Sequence, residues 1–274
     1  MVNHVQGLDL SSVRARPQRI PEIPREVVKL RDGDYARRWP AHAAVATTIP
    51  AITAREDAAR SIRDQNRLDR EVLLVIDGCC KDRVLENLWQ RRHSESLYEL
   101  FRREEPCLLI APDMSVYPSM SPCHHLYQLR RTFLMYAHFQ SAGLTAVPFV
   151  APCGRTHASH IALWLRANEA ATHVAASFQT LQTGSDDWQE HLRLLEQIDR
   201  ESGRPLAWVL IGQGPDADRT RRIQLPRVSF VHVAPKFRDL RRPALGPQLA
   251  LLYASRAHEA RPAPPALIRH EPTP

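Results

Sequence analysis

Lysine is almost absent from this sequence. Only three of the 37 basic residues are lysines, namely Lys29, Lys81 and Lys236, and the other 34 are arginines. Arginine, alanine and proline all run high, which is typical of a GC-rich coding sequence whatever the function. The formal net charge of +7 therefore indicates a nucleic-acid partner less strongly than its size suggests.

Long apolar segments are also missing. No apolar run reaches the roughly 18 residues that suggest a transmembrane helix, and the first twelve residues, MVNHVQGLDLSS, lack the layout of a secretory signal. We therefore expect no membrane partner. The five cysteines are odd in number and scattered, which favours a reduced, cytoplasmic setting over a disulfide framework.

The basic residues are unevenly distributed along the 274-residue chain. Residues 204–274 hold 12 basic and 5 acidic side chains, whereas residues 1–203 hold 25 of each and are neutral. The surplus of positive charge therefore belongs to the last quarter. A chain of this length forms one sizeable domain with arms, or two small domains.

Three regions of the chain differ in composition and in hydrophobic periodicity. The first 50 residues are rich in proline and arginine without periodicity, and residues 54–68 predict a polar surface helix, so we assign 1–66 to an N-terminal arm. Residues 67–257 form the predicted α/β domain. Residues 258–274 are proline-rich and predict a disordered tail.

Short apolar runs alternate with longer helical patterns from residue 72 onward. The predicted strands are 72–76, 107–111, 146–150, 174–178, 208–211 and 228–233, and the predicted helices are 83–103, 123–142, 157–170, 188–201 and 245–257. This pattern predicts a parallel sheet of βα units, as an incomplete or complete TIM-like barrel or, alternatively, a doubly wound open sheet. A complete barrel would have to recruit strands from the first 66 residues.

Reactive or polar side chains lie at or just after the end of each predicted strand. They are Asp77, Asp113, Cys153, Gln179, Gln213 and His232. Parallel α/β sheets place their chemistry at the carboxyl ends of strands, so we expect these positions to share one rim. Asp77 is a candidate base, nucleophile or metal ligand, and its alternative role is to cap the following helix, as Asp82 also could.

The segment after the second predicted strand is the most distinctive. Asp113, Ser115 and Tyr117 alternate, so in an extended segment all three project from one side, where they could bind a base, a sugar or a phosphate. His124 falls in the first turn of the next helix and completes this candidate catalytic set. The alternative is a structural turn that supports that helix.

A glycine pair and several arginines form a candidate phosphate or nucleic-acid site. Its residues are Gly212, Gly214, Arg221, Arg222, Arg241 and Arg242. Phosphate often binds at a late βα loop of a barrel, and arginines suit phosphodiester contacts. A plain turn and a solvated face are the alternatives, and no aromatic residues interleave as a base-stacking platform would require.

Cysteine and histidine side chains near the strand ends raise the question of zinc or iron. They are Cys79, Cys80, Cys123, Cys153, His124, His125, His157 and His160. No CxxC or HExxH spacing occurs, and cysteines in an α/β core are commonly inert, so we predict no metal site. The sequence does not define a cofactor.

The central segment resembles an uncharacterised family of bacterial, plasmid and phage proteins. The pattern consists of Pro112, Asp113, Ser115, Tyr117, Met120, Pro122, Arg131, Gly143 and Pro148. Ser121 departs from it by separating Met120 from Pro122, and so does Cys153 where an aromatic residue is expected. The resemblance implies an α/β domain that travels with mobile elements, without an assigned activity.

A weaker similarity, in layout only, is to tRNA-guanine transglycosylase-type barrels. Such enzymes use strand-end aspartates as nucleophile and base, which Asp113 and Asp77 could match, although the zinc-binding cysteine cluster is missing.

Three functions remain open from the sequence. The first is an enzyme that acts on a nucleotide or nucleic acid through the strand-end carboxylates. The second is a non-catalytic nucleic-acid-binding accessory protein of a plasmid or phage that uses the basic C-terminal surface. The third is a protein-interaction scaffold that uses its proline-rich arms, so that removing residues 1–50 and 261–274 would abolish the partner contact and leave the fold intact.

Overall fold

Eight parallel strands form a barrel in the computed structural model, which describes residues 7–30, 39, 41–54, 60–212, 225 and 227–232. The strands are β1 (Glu26–Lys29), β2 (Ala44–Thr48), β3 (Leu73–Asp77), β4 (Leu108–Ile110), β5 (Ala146–Val147), β6 (His173–Ser177), β7 (Ala207–Ile211) and β8 (Val228–His232). Each strand pairs with its neighbours in chain order from β1 to β5 and from β6 to β8, and β8 pairs with β1.

A parallel bridge between Phe149 and Ala175 closes the remaining gap, between β5 and β6. The Val150 amide donates to the Ala175 carbonyl at 2.8 Å, and the Ala175 amide donates to the Pro148 carbonyl at 2.9 Å. The eight strands therefore close into a TIM-like barrel, as the sequence predicted, and the alternative of an open doubly wound sheet is wrong.

Helices of the βα units surround the described strands. They are α1 (Ile49–Thr53), α2 (Ile62–Gln65), α3 (Asp82–Gln90), α4 (Glu95–Arg103), α5 (Pro122–Ser141), α6 (Arg155–Ala167) and α7 (Asp186–Glu201). The predicted helix 83–103 is divided by a turn at 91–94. Within the predicted helix 54–68, residues 54 and 60–68 are described, and only Ile62–Gln65 of them form a helix, α2. The predicted helix 245–257 and the tail lie outside the described residues.

The segment predicted as an arm supplies the first two strands. All six strands predicted from residue 72 onward are present within three residues of their expected bounds, but β1 and β2 lie within residues 1–66. The proline- and arginine-rich sequence around these strands obscured their pattern. Removing residues 1–50 would therefore remove a quarter of the barrel, contrary to the scaffold hypothesis.

The chain before β1 covers the amino end of the barrel. The Trp164 indole donates to the Val13 carbonyl at 2.9 Å, and Gln140 exchanges two side-chain hydrogen bonds with the Arg16 backbone. Further along, the Gln18 amide exchanges two hydrogen bonds with the Ala146 backbone at the start of β5. This segment is thus part of the barrel's packing.

The chain divides into two units, residues 1–233 and residues 234–274. The second unit lies outside the described residues, and so does most of the basic last quarter. Among the described helices, none combines the length and apolarity that crossing a membrane demands.

Candidate active site

A cavity of about 900 Å³ opens at the carboxyl ends of β3 to β6. Its described lining includes Cys79 and Asp113 from the loops after β3 and β4, Phe149 after β5, and Ser177 and Gln179 at the end of β6. This is the rim on which TIM barrels carry their chemistry. A smaller cavity of about 670 Å³ lies at the amino ends of β6 to β8.

Strand register shows which side chains face this cavity. Phe149 and Ser177 line it and lie on one face of the sheet, since Phe149 pairs with Ala175 and alternate residues share a face. Followed round the barrel, the same face carries Lys29 at the end of β1 and Asp77 at the end of β3. The pairs that establish this are Ile110–Val147, Val75–Leu108, Ala46–Val75 and Lys29–Ala46.

The pKa of Asp113 is strongly perturbed. Burial, followed by the negative charges of Asp77 and Asp82, raises the pKa of this carboxyl from 3.8 to about 7. Asp113 lines the cavity, where part of its surface remains accessible to a ligand. A carboxyl that holds and releases a proton near neutral pH, in a cavity, is suited to general acid–base catalysis.

Gly78 brings Asp77 and Asp113 together. A Cβ at this position would lie 2.4 Å from the carbonyl oxygens of Ile110 and Ala111, so only glycine allows the ends of β3 and β4 to approach this closely. The Asp113 amide lies 3.4 Å from the Gly78 carbonyl oxygen. The two candidate carboxyl groups therefore occupy adjacent strand ends at one rim.

Asp77 is held as an anchor. Its side chain is fully buried, one oxygen accepts from the Lys29 ammonium at 2.7 Å, and the other accepts from the Cys79 amide at 2.9 Å. Sequence reasoning missed Lys29, although its rarity in this arginine-rich chain was a signal. Asp77 positions Lys29 and adds negative charge beside Asp113.

The predicted Asp113–Ser115–Tyr117 cluster does not form as one network. All three side chains line the cavity, but the Ser115 hydroxyl donates to Asp82 at 2.6 Å, at the start of α3. Tyr117 is 49% exposed. Ser115 therefore fixes Asp82, whose charge contributes to the raised pKa of Asp113.

His125, rather than His124, lines the cavity. Its Nε2 lies 3.0 Å from the Tyr117 carbonyl oxygen, and its ring stacks on that of His157 with centroids 5.5 Å apart. Burial, with His125 and His160 nearby, lowers the pKa of His157 to about 4. The His124 ring instead contacts Tyr127 with centroids 6.0 Å apart.

The cavity thiols are held in the protonated form. Burial and the charges of Asp77 and Asp113 raise the pKa of Cys80 to about 12 and that of Cys79 well above its usual range. They are therefore poor nucleophiles at neutral pH. In the part of the chain that the structure describes, no group of three or more His, Cys, Asp or Glu side chains is arranged to hold a metal ion.

Carboxyl groups outnumber lysines in the described lining. Its acidic residues are Asp113, Asp187 and Glu190, and its lysine is Lys81. His191 also lines the cavity, and burial lowers its pKa to about 4, so it is neutral at physiological pH. This lining repels anionic ligands and suits neutral or cationic ones.

The candidate phosphate site is only partly described. At Gly212, φ is +84° and a Cβ would lie 2.6 Å from a side-chain atom of Gln179, so this glycine lets the ends of β6 and β7 approach. That backbone requirement accounts for Gly212 without a phosphate. Gln213, Gly214, Arg221, Arg222, Arg241 and Arg242 lie outside the described residues.

No family model matches the chain, and no curated protein matches it either. Two solved structures are similar at 11% identity: the YdjI aldolase from Escherichia coli K12 and an HpcH/HpaI aldolase from Desulfitobacterium hafniense DCB-2. The match to the first has a TM-score of 0.43 and covers 87% of this chain and 81% of the other chain. The match to the second has a TM-score of 0.38 and covers 87% of this chain and 93% of the other chain. The resemblance to the uncharacterised family stays a prediction.

The predicted action on nucleotides or nucleic acid is wrong, both as an enzyme and as an accessory protein of a plasmid or phage. The two similar structures are described as aldolases, and neither description mentions nucleic acid or a mobile element. The described lining agrees with this correction, because three carboxyl groups against one lysine disfavour a phosphodiester backbone. The layout similarity to tRNA-guanine transglycosylase-type barrels stays a prediction.

Proposed function

We propose that this protein is an enzyme that performs general acid–base catalysis on a small neutral or cationic molecule. The reaction takes place in the cavity at the carboxyl end of the barrel, and Asp113 transfers the proton. One observation carries the proposal: a cavity-lining carboxyl has a pKa raised to about 7 by burial and by two neighbouring carboxyl groups.

The division of roles between the two strand-end aspartates supports this proposal. Asp77 is fully buried, and both of its oxygens are occupied by donors, from Lys29 and Cys79. Asp113 lies at the adjacent strand end, where burial and neighbouring negative charge, rather than a hydrogen-bond donor, set its pKa. The two carboxyl groups thus have different environments and different roles, Asp77 as an anchor and Asp113 as a proton carrier.

The Lys29 ammonium supports the same chemistry. It lies on the cavity-facing side of the sheet, and its charge also acts on Cys79 and Cys80. A fixed positive charge in a partly enclosed cavity can stabilise negative charge that develops on a substrate oxygen when Asp113 removes a proton.

The acidic lining and the size of the cavity favour a small uncharged or positively charged substrate. Asp187 and Glu190 in α7 add negative charge that only Lys81 offsets among the described lining residues. Because all five cysteines are free, we also propose a reducing, cytoplasmic compartment.

The test is turnover of a defined mixture of small neutral, cationic and anionic carbonyl and hydroxy compounds in D₂O, followed by proton NMR. We expect loss of C–H signals for an uncharged or cationic compound, with kcat/KM changing through about pH 7. Asp113→Asn should lower kcat by about 10²- to 10⁴-fold.

Asp69→Asn is the matched control, because it makes the same chemical change at an exposed turn before β3. It should retain wild-type turnover. Wild-type turnover by Asp113→Asn, or a pH profile without an inflection near neutrality, would overturn the proposal.

A further inference from the structure

Lys29 occupies a distinctive position in the barrel. It ends β1, its side chain is 15% exposed, and its Nζ lies 2.7 Å from Asp77 Oδ2. Its neighbour in register on β2 is Ala46, whose small side chain leaves room for the ion pair to span that strand. The amine is therefore held on the cavity-facing side of the sheet in an ion pair with a buried carboxylate.

Arginine would serve a purely electrostatic role at this position. The chain uses arginine for 34 of its 37 basic residues, and a guanidinium forms the better ion pair with a carboxylate. What lysine adds is an amine that can lose a proton and become a nucleophile. The choice of lysine here thus points to reactivity as well as charge.

We propose that Lys29 condenses with the carbonyl group of a neutral substrate to form an iminium ion. This inference rests on the proposed function, and it names both a second catalytic residue and a substrate class for the same cavity. Lys29, Asp77 and Asp113 then have distinct roles as nucleophile, anchoring base and proton carrier.

The step balances without any further reactant. Asp77 takes a proton from the Lys29 ammonium, and the freed lone pair forms a bond to the carbonyl carbon. The carbonyl oxygen then leaves as water, with two of the three ammonium protons transferred through Asp77 and Asp113. The third proton remains on the iminium nitrogen, so no net charge is gained or lost, and no oxidant or reductant is needed.

An iminium ion explains the use of a proton carrier beside the lysine. The positive nitrogen withdraws electrons from the adjacent carbon–hydrogen or carbon–carbon bond, and the resulting enamine exchanges a proton with a neighbouring base. Asp113, with its pKa raised to about 7, can supply and remove that proton near neutral pH.

The charge of the lining selects the carbonyl compound. Because the described lining carries the carboxyl groups of Asp113, Asp187 and Glu190 and one lysine, Lys81, a neutral hydroxycarbonyl is favoured over an oxoacid. Glycolaldehyde and glyoxylate provide matched probes: both are two-carbon aldehydes, but the first is neutral and the second is an anion.

The experiment is reductive trapping on the full chain. The protein is incubated with glycolaldehyde or glyoxylate and sodium cyanoborohydride, and peptide mass spectrometry then measures hydroxyethyl or carboxymethyl groups on each lysine. Lys81 is exposed and lies in the lining of the same cavity, so it measures the reactivity of an amine that meets the aldehyde without the contact to Asp77.

With glycolaldehyde, we expect Lys29 to be modified about tenfold faster than Lys81, since the site holds amine and proton carriers in place. Glyoxylate should lower this preference. Lys29→Arg should abolish the Lys29 adduct and keep the far-UV circular dichroism of the wild type. Lys236→Arg, the same substitution at another lysine, should leave the adduct unchanged, and Asp77→Asn should slow adduct formation at Lys29 without changing Lys81.

Modification of Lys29 no faster than that of Lys81 with both aldehydes would overturn the inference. If Asp113→Asn still abolished turnover, the proposed function would stand with a non-covalent Lys29. Conversely, a Lys29 adduct in a protein whose turnover does not depend on Asp113 would support the inference and refute the proposed function.

Discussion

At the scale of single residues, the candidate site depends on one carboxyl group in an unfavourable place. Burial and the charges of Asp77 and Asp82 raise the pKa of Asp113 from 3.8 to about 7. The folded protein therefore holds the negative charge of Asp113 beside those of Asp77 and Asp82 whenever Asp113 is ionised, which costs free energy. A cost of this kind is common at functional sites and is compensated elsewhere in the fold.

Asp113→Asn should stabilise the protein in a pH-dependent way. Because the folded-state pKa is raised, the folded protein binds this proton more tightly than the unfolded chain, and ionisation destabilises the fold. At about 1.36 kcal/mol per pKa unit, the cost approaches roughly 4 kcal/mol above pH 7 and vanishes below about pH 4. The Asn variant should thus be more stable than the wild type by a few kcal/mol at about pH 8 and comparable at about pH 4.

Urea unfolding of both proteins at these two pH values measures the difference. Asp69→Asn should show no such pH dependence, because Asp69 lies at an exposed turn. An Asp113→Asn variant no more stable than the wild type at about pH 8 would mean that Asp113 is not strained in the folded protein.

At the scale of secondary structure, the ends of adjacent strands set the geometry of the site. Gly78 lets the chain after β3 pass against the backbone of Ile110 and Ala111. This approach couples Asp77 to Asp113 electrostatically. The candidate chemistry therefore depends on the close approach of the ends of β3 and β4 as well as on the carboxyl groups themselves.

Gly78→Ala should destabilise the fold and uncouple the two carboxyl groups. Its Cβ would lie 2.4 Å from two backbone oxygens, which cannot rotate away as a side chain can. We expect a loss of about 2–3 kcal/mol in the free energy of unfolding. We also expect the pKa of Asp113 to fall, which carbon-13 NMR of the Asp carboxyl groups would measure.

Gly143→Ala is the control for backbone strain alone. Gly143 has φ of +80°, and no atom lies within 4 Å of the position that a Cβ would take, so its loss should be smaller, at about 1 kcal/mol. Equal losses in the two variants, with the Asp113 pKa unchanged, would contradict the close approach at Gly78.

At the scale of the whole molecule, the barrel depends on the chain before residue 50. This part supplies β1 and β2, and it brings Lys29 into the site. Residues 13–18 also cover the amino end of the barrel through hydrogen bonds to α5, α6 and β5. The N-terminal region is therefore structural and contributes to the site.

Gln18→Ala tests this structural role. The Gln18 amide accepts from the Ala146 amide at 3.0 Å and donates to its carbonyl, and Ala146 is fully buried. Losing the partner leaves a buried donor and acceptor unsatisfied, so we expect a loss of about 1–3 kcal/mol in the free energy of unfolding, measured by urea denaturation. Gln182→Ala, at an exposed position, should cost little, and equal effects would refute the role of Gln18.

The sequence by itself determined the βα periodicity and six of the eight strands. Those strands are continuous apolar runs, because parallel strands in a barrel are covered on both faces. The same periodicity placed Asp77 and Asp113 at strand ends, since the chain leaves each strand at the same rim. Local pattern was sufficient for these features because each depends only on neighbouring residues.

Only the tertiary structure decided which polar groups meet. The ion pair between Lys29 and Asp77 joins residues 48 positions apart, and Ser115 bonds to Asp82 instead of sharing a cluster with Asp113. The closure of β5 on β6 and the acidic lining arise in the same way. These are long-range contacts, and the pKa of a buried carboxyl depends on charges and desolvation that exist only once the strands have closed.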